Sequence, residues 1–184
     1  MDAKSQLFKL LQSIGHTGED ITDYQSYSNG NGHSCDLTVT FPNGLEIYGY
    51  GTGAKITQAE IAASQDVIDQ LHESHPELIV DWDKIYVDAQ AGDALIKLGV
   101  YLSGNLNVSD NSLDLQRIET NKRLAKVFDK WQRDKDPDLA VLGNHLSEHK
   151  KASVVEALLW RRYNKQVITS DGPEHLELLI KAIT

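Results

Sequence analysis

Residues 35–50 constrain the fold most. Cys35, Leu37, Val39 and Phe41 alternate with Asp36, Thr38 and Thr40; Pro42-Asn43-Gly44 follows, and residues 45–50 alternate again. A period of two puts one face of a strand on a core and the other in water. An Asn-Gly pair between two such runs closes a tight antiparallel hairpin. Helical patterns flank it. In residues 2–14, Leu7, Leu10, Leu11 and Ile14 recur at spacings of three and four, which predicts an amphipathic helix stopped by Gly15 and Gly18. Residues 21–27 read as a further strand. Gly51-Thr52-Gly53 breaks the last strand, and a helix over 57–71 turns Ala59, Ala62, Ala63, Val67 and Leu71 inward. The predicted order is helix, three strands, helix.

The pattern changes after Glu73-Ser74-His75-Pro76-Glu77, a polar, proline-containing stretch read as a linker. It separates a domain over 1–73 from one over 74–184. The second reads as all-α, with helices over 83–101, 113–132, 151–163 and 174–183 and a short helix or turn over 139–146. Ser109-Asp110-Asn111-Ser112 offers N-caps, and Asp171-Gly172-Pro173 opens the last helix. The fold class is therefore α+β followed by all-α. Charge divides the same way. Of the net −9, residues 1–77 carry 3 Lys/Arg and 11 Asp/Glu, giving −8, whereas residues 78–184 carry 15 and 16, giving −1. The acidic half repels phosphate unless its few cations are well placed.

No apolar run approaches the ~18 residues of a membrane span, so no membrane partner is expected. The N-terminus lacks a basic region followed by an apolar core, so no secretory signal is expected. Cys35 is the only cysteine. It excludes an intramolecular disulfide and fits a reducing compartment, the cytoplasm or a reducing organelle matrix.

Two segments carry the chemistry. Gly92-Asp93-Ala94-Leu95 and Glu156-Ala157-Leu158-Leu159 each sit in a helical pattern. On packed helices, Asp93 and Glu156 would share one divalent cation, Mg²⁺ or Mn²⁺. Mg²⁺ typically takes one or two protein carboxylates and completes its shell with water and phosphate. The alternative is an ion pair, with Lys97 or Arg117 as partner.

Residues 2–73 resemble the double-stranded RNA-binding domain. Gly49-Tyr50-Gly51-Thr52-Gly53 leading into Ala59-Glu60-Ile61-Ala62-Ala63 matches its strand-to-helix turn and Ala-Ala pair, and Gly30-Asn31-Gly32-His33 its first strand loop. The resemblance implies RNA contacts through His33, Lys55, Lys4 and Lys9. Where that family carries a basic pair at the start of its last helix, this chain has Ile56 and Thr57. A packing or dimerisation module is the other reading.

Residues 78–184 resemble the ribonuclease III catalytic domain, closest in pattern to Mini-ribonuclease III. The carrying segments are Asp88-Ala89-Gln90-Ala91-Gly92-Asp93-Ala94-Leu95, Asn121-Lys122-Arg123-Leu124-Ala125 and Ser153-Val154-Val155-Glu156-Ala157-Leu158. The full family uses four carboxylates. Here Ala89 and Ser153 stand at the first and third positions, and Asp93 and Glu156 at the others; Asp88 is a candidate substitute for the first. The resemblance implies a Mg²⁺-dependent endoribonuclease that cuts structured, double-stranded RNA to leave 5′-phosphate and 3′-hydroxyl ends. It also implies a homodimer, with Ile96 and Val100 as candidate interface residues. The same fold also serves as a non-catalytic ribosomal scaffold, which is the alternative function.

Arg161 and Arg162, beyond Glu156, are candidates to grip RNA phosphates or to cap their helix. His145-Leu146-Ser147-Glu148-His149 matches an inverted zincin pattern, which requires both His on one long helix. His72 and His75 read as solvated, and Gly51-Thr52-Gly53 is too short for a nucleotide loop.

Overall fold

The structure, a computed structural model, describes residues 1–30, 32–103, 118 and 120–167. The predicted features at 109–117 and 171–183 lie outside these residues, as does Arg117.

The chain forms two compact units. The first is Met1–Val80 with Leu139–Leu146, and the second Asp81–Asp138 with Ser147–Thr184. The chain therefore passes between them three times, where the sequence predicts one linker. Residues Pro76–Leu78 form a 3-10 turn rather than an open linker, with Leu78 buried.

In the first unit, α1 (Ala3–Ser13) is capped by Asp2, whose side chain accepts from the Ser5 amide at 2.8 Å. A one-turn helix, α2 (Gly18–Ile21), follows; Gly18 opens this helix, whereas its sequence position predicts a stop. Strands β1 (Thr22–Asn29), β2 (Gly32–Thr40) and β3 (Glu46–Gly53) form an antiparallel sheet in that order. The Pro-Asn-Gly turn is a true hairpin turn. Phe41 N donates to Leu45 O at 2.8 Å, and Gly44 adopts the left-handed φ of 84° that glycine tolerates.

Helix α3 (Ile56–Glu73) covers the inner face of the sheet, and its Ala59, Ala63, Val67 and Leu71 are fully buried. Ala62 is only half-buried, because the inward row runs through 59, 63 and 67. Ser64 is buried instead, donating to Glu60 O at 2.7 Å and bonding the Tyr24 hydroxyl at 2.8 Å. β3 does not break at Gly51-Thr52-Gly53 but pairs through to Gly53. Gly49 and Gly51 face α3 so closely that a side chain would strike it. A Cβ on Gly49 would lie 2.6 Å from Val67 Cγ2, and one on Gly51 2.8 Å from the Ala62 carbonyl carbon.

Residues 139–146 complete this unit. Gly143 N donates to Ile14 O at 2.8 Å and His145 N to Gly15 O at 2.9 Å, while the His16 ring bonds Val141 O at 3.0 Å. Gly15 holds a φ of 89° against this strap.

In the second unit, the described elements are α4 (Trp82–Ser103), α5 (Asn121–Arg133) and α6 (Glu148–Val167), with a 3-10 turn at Pro137–Leu139, whose last residue joins the first unit. No strand occurs there among the described residues. Helix α6 packs against both α4 and α5. Its Ala152, Val155 and Leu159 are fully buried, as are Leu124 and Phe128 of α5. Ile96 and Val100 are also buried, at 0% and 4% exposure. They belong to the core of this unit and are closed to the partner expected from the sequence. Among the described side chains, the large apolar residues that α4 exposes are Val87, Leu98 and Tyr101. No described helix is long and apolar enough to cross a membrane.

Candidate active site

The site is set by the crossing of α4 and α6. Gly92 lies at the contact point. A Cβ built on it would meet the Glu156 carbonyl oxygen, and would lie 2.5 Å from the Glu156 carbonyl carbon and 3.0 Å from its Cα. The bare glycine lets two backbones touch, so its neighbour Asp93 and the opposed Glu156 open onto one pocket. That pocket, of about 450 Å³, is lined by Tyr86, Ala89, Gln90 and Asp93 of α4, Asn121 of α5, and His149, Ser153 and Glu156 of α6. All four positions singled out by the ribonuclease III resemblance, Ala89, Asp93, Ser153 and Glu156, therefore line the same space.

Asp93 accepts from Lys97 Nζ at 2.7 Å, one helical turn on, and is about one-third exposed. This is one of the two ion pairs weighed from the sequence. Glu156 is half-buried. Asp88, the candidate substitute carboxylate, does not line the pocket. It accepts from Arg161 Nε at 2.7 Å and is 17% exposed. Among the described residues, no three His, Cys, Asp or Glu side chains group as a metal site. The polar groups lining the pocket are the His149 ring and, as oxygen donors, two carboxylates, the Tyr86 and Ser153 hydroxyls and the amides of Gln90 and Asn121. Such hard oxygen ligands fit Mg²⁺ or Mn²⁺, which needs no more than one or two carboxylates from the protein.

One wall of the pocket is aromatic. Tyr86 stacks on His149 with ring centroids 6.0 Å apart and planes 17° apart, and Trp82 lies against Tyr86 at 5.9 Å. Lys150 Nζ sits 4.1 Å over the Trp82 ring, and burial lowers its pKa. The zincin pattern is not assembled. Helix α6 starts at Glu148, so only His149 is on it, whereas His145 belongs to the strap and faces Asp20 at 3.7 Å.

The cations expected to meet RNA are dispersed. Lys4 donates to Glu60 at 2.7 Å and lies 4.4 Å over the Tyr24 ring. His33 is within β2, not in a loop, with its Nδ1 3.1 Å from Ser28 Oγ. Lys55 is exposed at the start of α3, where Ile56 is also exposed, and Lys9 is exposed on α1. Arg161 is paired with Asp88, as above. Arg162 donates to both oxygens of Asp136, at 2.7 and 2.9 Å, and to Asp138, and it stacks 5.0 Å over Trp131. Burial works against its charge, but those carboxylate bonds outweigh it and hold the guanidinium pKa above its ordinary value.

Helix α5, overlapping the helix predicted over 113–132, carries a cationic face that the motifs do not mark. Lys122, Lys126, Lys130 and Arg133 are exposed and fall at steps of four, four and three, a spacing that marks one helix face. No family model, curated protein or solved structure matches the chain.

Proposed function

We propose that this chain is a Mg²⁺- or Mn²⁺-dependent endoribonuclease acting on double-stranded or structured RNA. The observation that carries the reading is the convergence of Asp93, Glu156, Ala89 and Ser153 on one pocket. Asp93 and Glu156 would hold the cation. A bound divalent ion supplies charge that polarises the phosphate and acidifies a water. Lys97 neutralises Asp93 when no cation is there and is long enough to swing to solvent. Ser153, Gln90 and Asn121 offer hydrogen bonds that orient water or a phosphate oxygen in the pocket. The αβββα order and the close packing of Gly49 and Gly51 on α3 support a double-stranded RNA-binding-like first unit. A homodimer through α4 would use Val87, Leu98 and Tyr101, which share one exposed face.

A non-catalytic scaffold is the second reading. The Lys97–Asp93 pair favours it, since it satisfies the carboxylate without a metal. Cleavage of long double-stranded RNA by wild type, Asp93→Asn and Glu156→Gln, with and without Mg²⁺ or Mn²⁺, separates the two. The nuclease reading expects metal-dependent cutting by wild type and a loss of roughly 100-fold or more in each variant. Absence of cutting by a folded wild type leaves the scaffold.

A further inference from the structure

Helix α5 concentrates five cations, Lys122, Arg123, Lys126, Lys130 and Arg133, against one carboxylate, Asp129, in a chain of net charge −9. Asp129 is already engaged by Lys151 Nζ at 2.7 Å. Asp136 and Asp138, beyond the helix, are engaged by Arg162. Asp134, at the C-cap, is a further acid beside the helix among the described residues. Among the described residues, no carboxylate pairs with Lys122, Lys126, Lys130 or Arg133. They point to solvent along one face while Leu124 and Phe128, opposite them, are fully buried.

We propose that this stripe is the surface that binds the phosphodiester backbone of a nucleic acid. Like charges one turn apart repel each other, and a run of phosphates relieves that repulsion while releasing its counterions. From Lys122 to Arg133 the stripe rises eleven residue steps, about 16 Å of helix, enough to follow several consecutive phosphates of one strand. The cations named from sequence motifs serve less well, because Lys4, Arg161 and Arg162 already have carboxylate partners. A membrane surface fits poorly, since the apolar face that would insert is packed against α6. The near end of the stripe adjoins Asn121, which lines the carboxylate pocket. Backbone binding here goes beyond the nuclease reading, because it holds equally for a scaffold.

The test is binding of the full chain to a short labelled RNA duplex in EDTA, across a salt series, beside vesicles of phosphatidylcholine and phosphatidylserine. Wild type is compared with Lys126→Glu/Lys130→Glu and with Lys126→Arg/Lys130→Arg. The charge reversal should weaken duplex binding at least about 10-fold at low salt and lower the salt slope by about two. The arginine pair should retain both. Far-UV circular dichroism checks that α5 persists in the variants. Unchanged affinity and slope, no duplex binding by wild type, or stripe-dependent binding to vesicles alone would each overturn the proposal. Stripe-dependent binding without metal-dependent cleavage would sink the nuclease reading and leave this surface standing.

Discussion

Gly92→Ala tests the helix crossing that creates the pocket. The added Cβ would lie 2.5 Å from the carbonyl carbon of Glu156 and 3.0 Å from its Cα. Both neighbours are backbone, so no side-chain rotation relieves the clash, and the helices must part by about 1 Å to restore ordinary contact. Overpacking of this kind costs about 1–3 kcal/mol, and a backbone-on-backbone contact belongs at about 3. Alanine in place of glycine inside a helix returns about 1 kcal/mol. The net loss is about 2 kcal/mol, or about 1 M in urea midpoint at a typical slope. Tryptophan fluorescence is the right probe, because Trp82, Trp131 and Trp160 all belong to the second unit. Ala94→Gly, on an exposed face of the same helix, calibrates propensity alone at about 1 kcal/mol. A midpoint that rises in Gly92→Ala would refute the tight crossing, since propensity would then be the only effect present.

Two further outcomes concern the strap. Gly143→Ala drives a Cβ into the Gly15 backbone and to 2.6 Å from His16 Nδ1; it should destabilise the first unit by about 2–3 kcal/mol and speed amide exchange at Gly143 and His145, and unchanged exchange would count against the strap. His16 is 5% exposed, and burial lowers its pKa below the usual 6.5, with the Val141 carbonyl and Asp20 pulling the other way and His145 adding to the shift. Above that value the ring is neutral in both states. As pH falls through about 6.5 the unfolded chain takes up a proton that the folded chain refuses, so stability drops, by at most about 1.4 kcal/mol per pH unit, until the lowered folded pKa is passed. Urea midpoints from pH 8 to 5 should show this fall, and His16→Gln should flatten it.

The hairpin over residues 35–50 was legible because alternation and an Asn-Gly turn are local signals with one geometric solution. So were α1 and α3, whose apolar rows recur at helical spacing. The place of the strap was not legible: the bonds that fix it, from Gly143 and His145 to Ile14 and Gly15 and from the His16 ring to Val141 O, join segments about 125 residues apart, and no local pattern pairs them. That Asp93 and Glu156 line one pocket has a local cause, since the glycine beside Asp93 permits the close approach of the two helices. The fates of the arginines were hidden for another reason. An Arg-Arg pair reads as free charge until its partners are known, and those lie 73 residues away for Arg161 and 24–26 for Arg162. Ile96 and Val100 illustrate the same limit, since an apolar helix face does not declare whether its own chain or another copy covers it.

The strap also sets an order in time. A ribosome releases Val80 well before Leu146, and at about 5–20 residues per second the roughly 66 intervening residues take about 3–13 s. Throughout that interval the emerging first unit has its sheet and both long helices, but Ile14 O, Gly15 O and the His16 ring have no strap to bond. Its last piece arrives only after α5 has been made, so the N-terminal unit is started first yet cannot be finished until most of its neighbour exists.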